Sequence, residues 1–331
     1  MDEVPTLDGL PSYPVTGAEL ANLRHSHSTR RPGMLLRFAM TSRTMRALLT
    51  GIVVLCAGGP AQAERPVEQA NLVITRVTPP AWVVRNGART PLAPETALQP
   101  GEILHTGAGG RLEANLGGFG RLHLGAHARA FAVDSGTATL RILAGAFRIS
   151  GQATPSGVGW LLRLPGLSAS VADADLLGQV TESRQHLVLR RGSAVVRTDM
   201  GEVLNMERTA ERLELAPGNQ TATIAQEATS AQVRLLEETG FRPGDGTLVP
   251  GGRWRVTVLE TRSEWKALAA YDRLRDAGYP AIISPSDGRS DPVYGVVVRG
   301  MHVRTEAEAV ATRLSSHPGF EKARLRISKA R

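Results

Sequence analysis

Few side chains in this 331-residue chain have the spacing that a catalytic or metal site requires. His123 and His127 share one face of a strand, but about 13 Å of extended chain separates them, too far for one zinc ion to bridge. Asp173 and Asp175 also share a strand face, without a partnered acid, base or nucleophile. We therefore predict no catalytic residue, no metal site and no cofactor, and expect these histidines and His105 to be solvated or hydrogen-bonded.

The chain has one cysteine, Cys56, which lies in the apolar segment described next. A mature chain that begins at Glu64 would contain none. That would exclude disulfides, cysteine-ligated metals and thiol catalysis. It would also suit an oxidising compartment, where a stray thiol is a liability.

Residues 40–63 have the three parts of a secretory signal peptide in the right order. Arg43 and Arg46 form a positive region, residues 47–57 form an apolar run, and residues 61–63 (AQA) fit a cleavage site. The run is about half of the roughly 20 residues that cross a membrane. We therefore expect cleavage after Ala63 and no transmembrane helix in the mature chain. Residues 1–39 are expected to be a disordered leader or to lie upstream of the true start codon.

Residues 72–226 consist of short runs of alternating apolar and polar residues, separated by glycine, proline and asparagine. This pattern is typical of an all-β domain, either a sandwich or a short solenoid. A loose repeat of strand, glycine and strand occurs at Gly145 and Gly192, and more weakly at Gly218. The clearest predicted strands are 81–85, 111–116, 121–124, 140–149 and 187–197.

This β region resembles the FecR domain. The resemblance covers most of residues 72–226 and implies a periplasmic sensing or interaction module, with an envelope protein as a possible partner. The motifs that carry it are residues 81–87 (AWVVRNG), 98–107 (LQPGEILHTG), 110–117 (GRLEANLG), 122–125 (LHLG), 192–196 (GSAVV) and 215–218 (LAPG).

Residues 227–252 are predicted to form a short helix and a Gly/Pro-rich linker, after which the periodicity changes. Residues 253–329 predict the order βαββαβ, and their two halves align at an offset of 40 residues, with Val256 matching Val296 and Leu274 matching Leu314. Such a duplication favours a ferredoxin-like module, with a four-stranded antiparallel sheet and both helices on one face. The predicted elements are strand 254–259, a helix from Ser263 to 277, strands 281–284 and 294–299, a helix opened by a Thr305/Glu308 capping box, and strand 323–328. The whole chain is therefore predicted to be a multidomain α+β protein.

This module resembles the SPOR domain over residues 253–329, most clearly at 277–281 (AGYPA) and 294–298 (YGVVV). The resemblance implies binding to peptidoglycan, specifically to denuded glycan strands that have lost their stem peptides. Some positions depart from the family pattern. They are Thr257, Thr261, Val297, Arg299 and Met301, where the family usually has Gln, Phe, Arg, Gly and Phe.

Strand alternation predicts which residues of the module face away from its helices. We predict that these residues bind the glycan. They are Arg255, Thr257, Leu259, Val297 and Arg299. Charge supports a binding role, because residues 253–331 carry 15 Lys and Arg against 9 Asp and Glu, a net charge of +6, while residues 64–252 carry 18 of each.

The βαββαβ order also occurs in RNA-binding modules, which stack bases on aromatic residues of the open sheet face. Alternation places Trp254 and Tyr294 on the opposite, helix-packed face. We therefore predict no nucleic-acid partner.

Together these features predict a non-enzymatic, exported periplasmic protein that is associated with the cell wall and with cell division. Its FecR-like body would sense or scaffold, and its SPOR-like module would tether it to peptidoglycan. The alternative is a FecR-type signal-transducing regulator that residues 46–60 anchor in the inner membrane.

Overall fold

The computed structural model describes residues 72–330 apart from 118–119, 135–138, 152–158, 172, 217–221, 287–291 and 322. The predicted leader and signal peptide lie outside the described residues. Among those that are described, no helix has the length and hydropathy needed to cross a membrane.

The first part of the described chain, the body, is built almost wholly from strands. The strands of its first half are β1 (Leu72–Thr78), β2 (Ala81–Arg85), β3 (Ala88–Pro91), β4 (Ala97–Leu98), β5 (Ile103–Thr106), β6 (Arg111–Leu116), β7 (Gly120–Leu124), β8 (Arg129–Asp134) and β9 (Thr139–Gly151). Those of its second half are β10 (Trp160–Leu164), β11 (Leu167–Val171), β12 (Ala174–Val180), β13 (Gln185–Gly192), β14 (Ala194–Thr198), β15 (Val203–Met206), β16 (Glu211–Leu215) and β17 (Thr223–Gln226).

The body's strands form two sets that share the long strand β9. One set has the order β3-β2-β5-β8-β9-β10-β11-β14-β15. The other has the order β4-β1-β6-β7-β9-β12-β13-β16-β17. Alternate residues of both sets, such as Leu104, Leu122 and Leu176, fill one apolar core. Each such leucine contributes roughly 1.5–3 kcal/mol when fully buried.

Two glycines that the sequence predicts as turns have different roles. Gly145 lies inside β9, where the strand passes from one set to the other. Its φ is +89°, and a Cβ there would lie 2.4 Å from the Cα of Ala128, so the position requires glycine. Gly192 ends β13, which divides the predicted strand 187–197 into β13 and β14, one in each set.

Helix α1 (Thr229–Thr239) packs on the outer face of the second set, where Leu235 joins Ala146, Leu177 and Val188 in a small apolar cluster. The following segment, residues 241–252, is the predicted Gly/Pro linker. In the structure its Thr247 and Leu248 are fully buried.

Residues 241–252 pack between the body and the C-terminal module. The backbone of Leu248 exchanges hydrogen bonds with that of Val77 at 3.2 and 2.6 Å, and Leu248 also bridges to Met301. Asp245 accepts a 3.2 Å hydrogen bond from Arg111 through its carboxylate, and one of 2.8 Å from Arg313 through its backbone oxygen. These contacts hold the segment against both of its neighbours.

The C-terminal module has the order βαββαβ. Its elements are β18 (Trp254–Thr261), α2 (Glu264–Asp276), β19 (Ala281–Ser286), β20 (Val293–Met301), α3 (Arg304–Ser315) and β21 (Arg326–Lys329). The strands form an antiparallel sheet in the order β19-β20-β18-β21. Val256 and Val296 share an apolar core with Leu274 of α2 and Leu314 of α3, so both helices cover one face. The mostly β body and this small module of strands and helices confirm the predicted α+β class.

Most element boundaries in the module differ from the predicted ones by a few residues, and the hydrogen bonds explain two of the differences. Helix α3 begins at Arg304, and it is the Glu306 carboxylate that accepts the N–H groups of His302 and Val303, at 3.0 and 3.4 Å. The capping box predicted at Thr305 and Glu308 is therefore wrong. Strand β21 begins at Arg326 instead of residue 323, because the amides of residues 323 and 325 bond locally, to the carbonyl oxygens of residues 320 and 323.

Candidate binding face of the C-terminal sheet

Arg255 and Arg299 lie directly opposite each other on β18 and β20, on the face away from the helices. The Nε of Arg255 donates a 3.0 Å hydrogen bond to the hydroxyl of Ser328 on β21, which fixes the position of its guanidinium group. Arg299 is exposed and forms no ion pair with any described residue. The two side chains place two guanidinium groups on one face of the sheet, and guanidinium groups bind carboxylates through forked hydrogen bonds.

Thr257 and Val297 form the next opposed pair on this face. Both are 5% exposed, so they offer little surface to a ligand. They lie beside the Arg255–Arg299 pair and form part of the buried base of this face.

Leu259 lies on the other face of the sheet, which corrects its prediction as a ligand-binding residue. A bulge at Val258 shifts the register, so that Thr257 opposes Val297 but Leu259 opposes Val296, a fully buried core residue. Leu259 accordingly packs against the module's apolar core. Strand alternation fails here because the bulge adds one residue to β18.

The same bulge moves Glu260 to the Arg255 face, a position that strand alternation does not predict. Glu260 opposes Gly295 and forms an ion pair with Arg326, the residue of β21 that opposes Thr257. Arg326 and Ser328 could have been found by extending strand alternation to β21. No local pattern in the sequence indicates the bulge that repositions Glu260.

The face therefore presents three guanidinium groups, a carboxylate and a hydroxyl, from Arg255, Arg299, Arg326, Glu260 and Ser328. Guanidinium groups make forked hydrogen bonds to carboxylates, and hydroxyl and carboxylate groups suit sugar hydroxyls. Trp254 and Tyr294 pack against the core beneath the helices. The chemistry of this face thus suits an anionic, hydroxyl-rich ligand better than a stack of bases.

Arg299 also borders a cleft of about 470 Å³ between the module and the body. Arg275 and Pro280 line the module's side, and residues 90–95 line the body's side together with residues 248–252. A ligand that extends past Arg299 would therefore meet the body.

The body's histidines are placed apart from one another. His105 stacks on Trp82 with ring centroids 5.5 Å apart. Burial, with the positive charges of Arg129 and Arg89, lowers the pKa of His105 to about 4. His123 lies 3.8 Å from the Glu113 carboxylate, and burial lowers its pKa as well. Across the described ranges, no three His, Cys, Asp or Glu residues come together as a metal site.

Asp173 and Asp175 also have separate roles. Both carboxylate oxygens of Asp175 bind Arg148 at 2.9 Å, and one binds Arg190 at 2.8 Å. The side chain of Asp173 is 64% exposed. Asp175 therefore joins neighbouring strands through charged hydrogen bonds, and nothing in its surroundings prepares it for proton transfer.

Comparison with known proteins gives one family match. The model of the SPOR domain matches residues 250–322. No curated protein matches the chain significantly. Two crystal structures of a candidate anti-sigma factor from Parabacteroides distasonis ATCC 8503 align with 69% of this chain and 99% of their own, at 14% identity and a TM-score of 0.36, which is too low to carry an argument. The predicted resemblance of the C-terminal module to the SPOR domain is confirmed over residues 250–322.

Proposed function

We propose that this chain is a non-enzymatic, exported protein of the cell envelope that its SPOR domain holds on the glycan strands of peptidoglycan. The observation that carries the proposal is the family match over residues 250–322. SPOR domains bind denuded glycan strands and are associated with cell division. The opposed Arg255 and Arg299 give this domain a pair of cations on the face away from its helices.

The body would supply the sensing or scaffolding part of the function. Its resemblance to the FecR domain supports this role, and its strands form two sets around one apolar core. An envelope protein is the partner that such a body would bind. We propose no catalysis for the body, in which His105 stacks on Trp82 and Asp175 pairs with Arg148.

The packed segment 241–252 gives the tether a fixed geometry. Because Leu248 bonds to β1 of the body and bridges to β20 of the domain, the body would be held at a set angle to a bound glycan strand. A scaffold that positions a partner relative to the wall would need such an arrangement.

Cosedimentation with insoluble peptidoglycan tests the proposal. The chain from Glu64 onward should sediment with amidase-treated peptidoglycan and sediment less with untreated peptidoglycan. The double variant Arg255→Ala, Arg299→Ala should remain in the supernatant. The matched control is Arg234→Ala, Arg304→Ala, which removes the same charge from exposed positions on α1 and α3. A parent that stays in the supernatant with both preparations would contradict the tethering function.

A further inference from the structure

A groove of about 970 Å³ lies on the helix side of the SPOR domain, beyond the point where β21 stops pairing with β18. Its walls are α2, the second half of β18 and residues 319–321 and 323–326. The groove exists because β21 begins only at Arg326, opposite Thr257. Residues 258–261 of β18 consequently have no paired strand on that side among the described residues.

The groove has an aromatic wall at its rim. Trp265, on the first turn of α2, is 68% exposed, the largest exposed fraction among the large apolar residues of the described chain. Ala269 and Ala270 continue the same helix wall with small side chains, and Leu325 lines the side opposite. An indole that stays this exposed is typical of a surface that contacts a ligand or partner.

The groove also has an excess of positive charge. Lys266, Arg273, Arg324 and Arg326 line it, against the carboxylates of Glu260 and Glu321. Arg326 is paired with Glu260. The Glu321 carboxylate accepts a hydrogen bond from the N–H of Gly319, and Arg273 donates one to the carbonyl oxygen of Gly319. Lys266 and Arg324 are exposed, and neither forms an ion pair with a described residue. Two cations thus lie beside the exposed indole without an ion pair among the described residues, and the Nζ of Lys266 is 5.7 Å from the centroid of the Trp265 ring.

We propose that this groove is a second glycan subsite that recognises carboxylate-bearing sugars, in particular the lactyl carboxylates exposed when stem peptides are removed. The inference rests on the proposed function. The C–H face of a sugar ring can stack on the Trp265 indole while its hydroxyls stay solvated. Lys266 and Arg324 would bind carboxylates.

Charge explains why the groove would prefer denuded strands. In an intact strand the lactyl group is linked to its peptide through an amide, which is neutral. Hydrolysis of that amide leaves one negative carboxylate on each such sugar. At the lactyl position itself, only the hydrolysed strand offers Lys266 and Arg324 an ionic partner, and a bulky stem peptide is no longer attached at that point.

The groove and the sheet face meet at one ion pair. Glu260 and Arg326 line the groove and belong to the face that carries Arg255. A glycan strand that crosses the exposed edge of β18 beyond β21 can therefore contact both sites.

Tryptophan fluorescence of the chain from Glu64 onward tests the subsite. Trp265 is exposed, whereas Trp160 is buried and Trp82 and Trp254 are half-buried, so acrylamide quenches mainly Trp265. Soluble glycan oligomers released by an amidase should protect Trp265 from quenching.

The variant Trp265→Ala should bind these oligomers about tenfold or more weakly than the parent, with an unchanged melting temperature. The matched control is Leu268→Ala. Leu268 lies on the same helix and is 45% exposed, but it does not line the groove.

The charge of the ligand is tested with the same oligomers after their carboxylates are converted to neutral amides. The parent should bind these at least about tenfold more weakly. The double variant Lys266→Ala, Arg324→Ala should bind the acidic oligomers more weakly than the parent and lose most of this preference, because only the arginines of the sheet face remain to bind carboxylates.

The outcomes separate the two proposals. If the parent binds and Trp265→Ala and the double variant bind equally well, the groove is overturned while the proposed function stands. Equal affinity of the parent for acidic and neutral oligomers overturns the recognition of carboxylates. A groove that binds an acidic peptide but leaves Trp265 unprotected by glycan also overturns the inference, and a parent that binds no glycan overturns both proposals.

Discussion

Arg255 and Arg299 occupy directly opposed positions on β18 and β20, so two like charges share one site on the sheet. Like charges placed directly opposite each other in a sheet are destabilising. Ser328 lies opposite Arg255 on β21, the other neighbour of β18, and its hydroxyl holds the Nε of Arg255 toward that strand. We expect a carboxylate that binds both guanidinium groups to offset the repulsion between them.

Arg299→Ala should therefore weaken binding without weakening the fold. We expect the free energy of unfolding to stay within about 0.5 kcal/mol of the parent, or to rise, because the repulsion with Arg255 is removed. Sedimentation with amidase-treated peptidoglycan should fall. Thermal unfolding at low and high salt measures the change in stability. Arg304→Ala is the control, because it removes an arginine that is paired with a carboxylate, that of Glu308. A clear loss of stability in Arg299→Ala would assign the residue a structural role.

Leu259→Ala should destabilise the SPOR domain. Leu259 packs into the core opposite Val296, so its truncation should cost roughly 1–3 kcal/mol, below the cost at a fully buried leucine. Urea denaturation measures the difference. Leu268→Ala, at an exposed position, should cost less than about 0.5 kcal/mol. Equal stability of the two variants would mean that the bulge at Val258 does not turn Leu259 inward.

The stability of the body should fall as the pH drops from about 6.5 toward 4, in part through His105. Its folded-state pKa of about 4 lies below the ordinary value of 6.5, so in this window the unfolded chain binds a proton that the folded chain does not. His105→Phe keeps a ring against Trp82 and removes the titration. Its urea midpoint should decline less than the parent's between pH 7 and pH 4. Burial lowers the pKa of His123 and His186 too, so a smaller decline should remain in the variant. An identical decline would exclude His105 as a contributor.

Leu248→Ala should destabilise the contact between the body and the SPOR domain. Leu248 is fully buried and bonds to strands of both parts, so its truncation should cost about 2–4 kcal/mol. In the parent, amides at 247–249 should exchange slowly with deuterium and proteases should cut elsewhere first. Rapid cleavage within 241–252 of the parent would instead show a flexible linker.

Cleavage after Ala63 remains a prediction from the sequence alone, since the segment lies outside the described residues. Mass spectrometry of protein from the producing cell should find Glu64 at the N-terminus. Recovery of residues 1–63 on the protein in a membrane fraction would favour the anchored regulator.

Local pattern was sufficient for the βαββαβ order of the C-terminal module and for the α+β class. The alternation around Val256 and Val296, and the helices that contain Leu274 and Leu314, all follow from periods of two and 3.6 residues, which neighbouring residues determine among themselves. The duplication at an offset of 40 residues also predicted that the two halves of the module pair in one four-stranded sheet. Alternation also assigned Arg255, Thr257, Val297 and Arg299 to one face, the face on which the structure places them.

Other features depend on contacts between residues distant in sequence, and only the tertiary structure decided them. The bulge that moves Leu259 to the core depends on how β18 pairs with β20. The burial of Thr247 and Leu248, in a stretch that reads as a linker, depends on β1, more than 160 residues earlier. The groove beside Trp265 depends on where β21 stops pairing with β18. A one-residue change in register turns a side chain to the opposite face of a sheet. The register of β18 depends on its partner strands, so the sequence of β18 alone does not determine it.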